Sequence, residues 1–213
     1  MAEQTREIPN RLVRRRTRTR AALVRAAQSF IAAGKPNVPI LELTQAADVG
    51  MGSFYNHFDS REQLFQAAME DALERYGALF DELTVGLDDP VHAFAQSVRL
   101  AGRLHRRNPE FSKILLNNGL ATVGSAEDLA PRARRDIAEA VRVGRFSVRD
   151  PELAMVIVNG AVLCLGQLLH DHPERDDAEA TDQVTEDLLR MLGLPPDEAH
   201  EICRRPLPDL PEL

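Results

Sequence analysis

Between Val49 and Leu64 the chain reads VGMGSFYNHFDSREQL. Gly50 and Gly52 straddle Met51, the side chains of Ser53, Tyr55, Asn56 and His57 follow within a few residues, and Arg61 lies just beyond. Phenol, carboxamide and imidazole groups donate well to phosphate oxygens, while Met51 and Ser53 can reach base edges, the thymine methyl being an apolar partner. Glycines at the front of a helix remove the side chains that would hold it away from such a ligand, and the free N–H groups there favour an anion. The chemistry indicated is the binding of a polyanion.

Other chemistries find less support. A catalytic site needs a nucleophile with its base, paired carboxylates or a glycine-rich phosphate loop after a strand, and the sequence presents none, so the reading is not an enzyme and needs no cofactor. HDHPERDD, His170 to Asp177, has metal-ligand residue types. It reads better as the end of one helix, where histidine suits the negative dipole, and the acidic start of the next, so no metal is assigned. His105 with Arg106 and Arg107 could neutralise an acidic ligand, but the favoured reading is the solvated end of a helix. Cys164 and Cys203 stand far apart, in no metal-ligand spacing, and read as inert thiols.

Charge is distributed unevenly. The net charge is −7, yet the first 25 residues hold eight arginines against two glutamates, which leaves +6 there and −13 over the rest. A basic arm on an acidic body suits a protein that brings one end to a polyanion and keeps the remainder away from it. No stretch reads as an uninterrupted membrane span, and the N-terminal arginines lack the apolar core of a secretory signal. A soluble, cytoplasmic protein is expected, with no membrane partner.

The elements that must position these residues all read as helices, and the fold class is all-α. A first helix is expected to start near Thr17 or Thr19 as cap, bury Leu23, Ala26, Ala27, Phe30 and Ile31, and stop at Gly34. Pro36 and Pro39 punctuate the loop that follows, with Pro39 in the first turn of a short helix over about 40–47. Asp48 marks a sharp turn, and a third helix should cover about 50–58. Ser60 and Gln63 form a capping box that opens a long fourth helix. Further helices are expected near 90–107, 109–119, 126–143, 151–171 and 178–192. The proline-rich residues 204–213 read as a loose tail.

Two short helices joined by a tight turn, behind a supporting helix and a basic arm, describe a helix-turn-helix module. Residues 18–65 resemble the DNA-binding domain of the TetR family of bacterial transcriptional regulators, on Tyr55-Asn56-His57-Phe58 and on Ser60-Arg61-Glu62-Gln63-Leu64. The resemblance implies backbone contacts from Tyr55 and His57 and base contacts from Met51, Gly52 and Ser53. It also implies a phosphate contact from Arg61, where the family commonly has lysine, and structural anchors in Phe54 and Phe58. Gly50 and Asn56 join this set, and Arg16 and Arg18, around the start of the first helix, are placed at the minor groove or along phosphates. Pro39, Asp48 and Gly50 depart from the family's usual threonine or serine, glycine and serine.

The resemblance further implies a domain order: arm 1–17, DNA-binding domain 18–64, ligand-binding and dimerisation domain 65–203, tail 204–213. The expected function is a ligand-responsive repressor that binds a palindromic double-stranded DNA operator as a homodimer. Leu153, Val156, Ile157, Ala161, Val162, Leu165, Leu168 and Leu169 offer more apolar face than one subunit needs to hide, in keeping with a self-interface. Phe80, Phe94, Leu104, Phe111, Leu115 and Ile137 are candidate pocket residues, and their apolar character suits a small hydrophobic effector. The alternative is a helical carrier of small molecules whose N-terminal module docks a protein partner. It would lack the linear fall of log K with log salt that phosphate neutralisation imposes.

Overall fold

The computed structural model describes residues 7–35, 37–122 and 131–210. Residues 1–6 of the arm, Pro36, the expected helix start at 126 and the last three tail residues lie outside them. The described residues form helices and connecting turns, with no strand among them, in two compact units, Met1–Ala72 and Leu73–Leu213. The boundary falls inside a helix, eight residues later than the 64/65 division expected.

In the first unit, α1 spans Glu7–Ala32, α2 Ile40–Ala46 and α3 Met51–Tyr55, and α4 (Arg61–Thr84) begins there. α1 therefore starts well before Thr17. The Thr17 hydroxyl donates back to the Val13 carbonyl, 3.1 Å away, inside the helix, so it caps nothing. Arginine, leucine and valine continue a helix at little cost, and no glycine or proline after Pro9 interrupts them. α1 ends as expected: Gly34 takes φ +68°, and the N–H of Lys35 reaches the Phe30 carbonyl at 2.9 Å. Asp48 serves the same purpose after α2, at φ +52°, with Val49 N–H on the Thr44 carbonyl at 3.0 Å. Pro39 is the residue before α2 and not in its first turn.

α4 is capped by its own sequence. The Ser60 hydroxyl accepts from the Gln63 N–H at 3.1 Å, and the Gln63 carboxamide oxygen reaches one residue further back than a capping box requires, to the Asp59 N–H at 2.6 Å. Leu23, Leu43, Phe54 and Leu64 are fully buried in this unit.

The second unit contains α5 (Pro90–Arg107), α6 (Pro109–Thr122), α7 (Pro131–Arg142), α8 (Pro151–Asp171), α9 (Asp177–Met191) and α10 (Pro196–Cys203). Asp89 and Asp150, each followed by proline, cap α5 and α8 by accepting from the Val91 N–H and from the Glu152 and Leu153 N–H groups. Asp176 caps α9 through the Glu179 N–H. One apolar core joins Phe94 and Val98 of α5, Ile137 of α7, Met155 and Val158 of α8, Leu189 of α9 and Ile202 of α10. α10 was not foreseen. It packs on α5 and α9 and is held by Arg145, which bridges Asp89 and Glu198.

α8 is long and apolar enough by composition to cross a membrane, with mean hydropathy 1.8 over an 18-residue window, although Asn159 and Gln167 interrupt the apolar run. Its packing against α5, α7 and α9 makes it a bundle helix.

Candidate nucleic-acid interface

α3 is held from below by two rings. Phe54 is fully buried and Phe58 nearly so, with centroids 6.0 Å apart, which leaves the other face of this five-residue helix outward. Met51 is 41% and Tyr55 58% exposed; Gly50, Gly52 and Asn56 are exposed, and Ser53 and His57 half-buried. The structure thus gathers all seven residues expected between 50 and 57 on and around one short helix.

The glycines of this surface do nothing for the fold. Gly50 sits at φ −71°, which any residue adopts, and a Cβ built on Gly50 or Gly52 would meet no atom within 4 Å. Gly102 and Gly166 contrast with them: there a Cβ would collide with the Thr181 side chain and the His105 ring. Glycine is needed at 102 and 166 for packing. At 50 and 52 packing within the chain makes no such demand.

α1 supplies the positive charge. Arg16 and Arg20, four residues apart on one helix face, both act on His57, whose pKa is lowered first by burial and then by these two guanidinium groups. Arg20 also lies over the Phe58 ring, 5.3 Å from its centroid. Arg18 is exposed but sits about 200° around the helix from Arg16, so the two do not share a face. Arg20 was missed because Arg16 was placed in the arm ahead of the first helix; once α1 is extended back to Glu7, the four-residue spacing from Arg16 picks it out. Arg61 stands at the start of α4 with its guanidinium on Glu62, Nη2 to Oε1 being 2.8 Å. The bonds to Glu62 come from Nε and Nη2.

The pocket candidates all belong to the second unit. Phe94 and Ile137 are fully buried in the main core, where Phe94 packs edge-on against Phe146. Leu104 is buried as well, Phe111 stacks on Tyr76 with centroids 3.3 Å apart, and Phe80 and Leu115 are half-buried.

His105 is a clear correction. Far from being a solvated helix end, it is 3% exposed, with Nδ1 2.5 Å from the Ser112 hydroxyl, which also meets His170 Nε2 at 2.8 Å. Burial, and secondarily His170, push its pKa down to about 4, so the ring is neutral. Arg106 donates to the carbonyls of His172 and Arg175 just after α8.

The expected self-interface divides in two. Leu153, Val156, Ile157 and Leu168 are exposed large apolar residues on α8. Leu165 and Leu169 are buried against α9 of the same chain, and Ala161 and Val162 pack partly into the main core. These four help hold α8 in its own bundle, because a helix apolar on most sides serves two neighbours at once.

An outward short helix after a tight turn, braced from beneath and bordered by a basic helix, defines a helix-turn-helix protein of the DNA-binding class. Comparison with known proteins gives the family. Residues 22–68 match the family described as bacterial regulatory proteins, tetR family, and residues 89–205, more than half of the chain, match the tetracyclin repressor-like C-terminal domain. The chain belongs to the TetR family of transcriptional regulators.

Among solved structures it is similar to RolR in complex with the ligand resorcinol, at 34% identity over 92% of this chain and 98% of that one, with a TM-score of 0.64. RolR without ligand is 35% identical over 89% and 98% of the two chains, with a TM-score of 0.70. FadR from Bacillus subtilis, in complex with stearoyl-CoA, shares the fold at 14% identity, over 79% of this chain and 97% of that one, with a TM-score of 0.62. The transcriptional accessory protein Tex of Neisseria gonorrhoeae is 31% identical over 108 residues, which is 48% of this chain and 14% of that protein.

Proposed function

We propose that this regulator is a cytoplasmic, ligand-responsive repressor with no catalytic activity. It acts as a homodimer on a palindromic operator, with one α3 in the major groove of each half-site. The observation that carries the reading is the pair of glycines at 50 and 52, which open α3 to an outside partner where neither backbone nor packing asks for glycine. Met51 and Ser53 stand beside them to read base edges, and Tyr55, Asn56, His57, Arg16 and Arg20 are the phosphate contacts. The exposed residues of α8, Leu153, Val156, Ile157 and Leu168, form the centre of the self-interface.

The effector is a small hydrophobic molecule bound in the second unit. RolR, the relative solved with resorcinol, supports a compact aromatic effector. An effector that binds the DNA-incompetent state more tightly by ~1–3 kcal/mol lowers operator affinity about 5- to 150-fold.

Enrichment of random duplex DNA on the purified protein tests the reading. Convergence on a palindrome with half-site centres about one helical turn apart, ~34–36 Å, is expected. Failure to converge on any sequence would refute it.

A further inference from the structure

From Ile8 to Ala32 α1 contains no acidic residue, and Arg11, Arg14, Arg15, Arg18 and Arg25 are all exposed. At 3.6 residues per turn these five fall within an arc of about 100° and form a row about 21 Å long. Arg16 and Arg20 lie about 180° around the helix from the middle of that arc, on the side of His57 and Phe58. α1 thus carries two basic faces, back to back, and only one of them borders α3.

Elsewhere arginine is matched within the chain: Arg99, Arg103, Arg135, Arg142, Arg145 and Arg190 each meet a carboxylate. Among the described residues no carboxylate pairs with any of the five on the outer face of α1. Like charges three and four residues apart repel along a helix, and this row has no counter-charge to offset the repulsion. A polyanion laid along α1 supplies one.

The row suits a phosphate backbone better than an acidic protein. Between Arg11 and Arg25 its arc holds only Ala22 besides the arginines, whereas a protein interface is centred on apolar or aromatic anchors. Guanidinium groups meet phosphate through a planar fork, and the row is as long as about six base pairs at ~3.4 Å each. Arg25 lies beyond Arg20 towards the C-terminal end of α1, so the row is not confined to the helix tip, where both faces could touch one duplex.

We infer that the outer face of α1, with Arg11, Arg14, Arg15, Arg18 and Arg25, is a second DNA-binding surface. It holds another duplex by its phosphates, without reading sequence, while α3 is seated on an operator, and the protein thereby bridges two DNA segments. The inference rests on the operator-binding reading above.

The experiment is capture on beads. The enriched operator duplex is immobilised, full-length protein is bound and the excess washed away, and a labelled duplex without operator is added at several salt concentrations. The wild type retains the labelled duplex, with log K falling linearly against log salt. Arg11→Ala, Arg14→Ala, Arg15→Ala and Arg18→Ala combined leaves operator affinity close to wild type and lowers the slope for the second duplex by about four, one per charge removed. The same four substitutions to lysine keep the charge and recover capture. Wild-type capture by the alanine variant, or none by the wild type, overturns the inference. So does an alanine variant that loses operator affinity in step with capture, because the row then belongs to the operator interface. Light scattering that finds two protein dimers between the duplexes also overturns it, because a second copy of the chain then makes the bridge. A wild type that does not hold the immobilised operator at all would instead strike down the regulator reading.

Discussion

The guanidinium of Arg20 lies over the ring of Phe58, 5.3 Å from its centroid, and so ties the basic face of α1 to the anchor beneath α3. With Arg16 one turn earlier and His57 beside both, the pair forms a positive edge next to the exposed surface of α3. Replacing Arg16 or Arg20 by alanine should weaken binding of all duplexes alike and reduce the slope of log K against log salt by about one. Arg18→Ala, on another face of α1, should change that slope less. Anisotropy titrations at several salt concentrations make the comparison.

Gly52→Ala separates folding from recognition. Alanine gains up to about 1 kcal/mol over glycine inside a helix, and the new methyl meets no atom of the protein. The variant should melt at or above the wild-type temperature while binding the operator more weakly. Thermal denaturation and titration on one preparation check both halves.

Acid should destabilise the protein through its histidines. His57, His92, His105 and His170 are all held below the ordinary histidine value, with burial the first cause in each, and His105 reaches about 4. The folded state then binds fewer protons than the unfolded one, so stability is fully present above about pH 6.5 and is lost as pH falls below it. For His105 the loss continues down to about 4. Denaturation midpoints measured between neutral and mildly acid pH should fall, and His105→Gln should flatten the fall even if it lowers the midpoint at neutral pH.

The two sides of α8 should respond differently. Val156→Asp and Ile157→Asp place charge on residues 49% and 51% exposed in the single chain, and should give folded monomers with reduced operator affinity. Leu169→Ala, at a residue 1% exposed, should cost about 2–5 kcal/mol of stability and leave the assembly a dimer. Sedimentation and denaturation together distinguish the outcomes.

These residues also show what a sequence exposes and what it hides. Gly34 and Asp48 were legible because a left-handed turn is set by residues a few places away, whereas Phe54 and Phe58 were expected as anchors from the family resemblance. The start of α1 was not legible, since threonine caps a helix only where the preceding chain leaves it, and Thr17 instead bonds to Val13 within a longer helix. The burial of His105 depends on Ser112 and on Gly166, 61 positions away, which has no side chain to block the ring. Pairings at such distance leave no periodic trace. Leu165 and Leu169 carry the same apolar signal as Val156 and Ile157, and only the position of α9 assigns them to the subunit's own core.

The central claim is that α3 reads a DNA sequence, and the most direct measurement is an anisotropy titration of the purified protein. It compares the enriched duplex with a scrambled duplex of the same composition over a range of salt concentrations. Saturable binding by one dimer per palindrome, tighter than to the scramble by about 10³-fold or more and falling linearly in log K with log salt, is predicted. Equal binding to both duplexes, abolished by modest salt, would contradict the account.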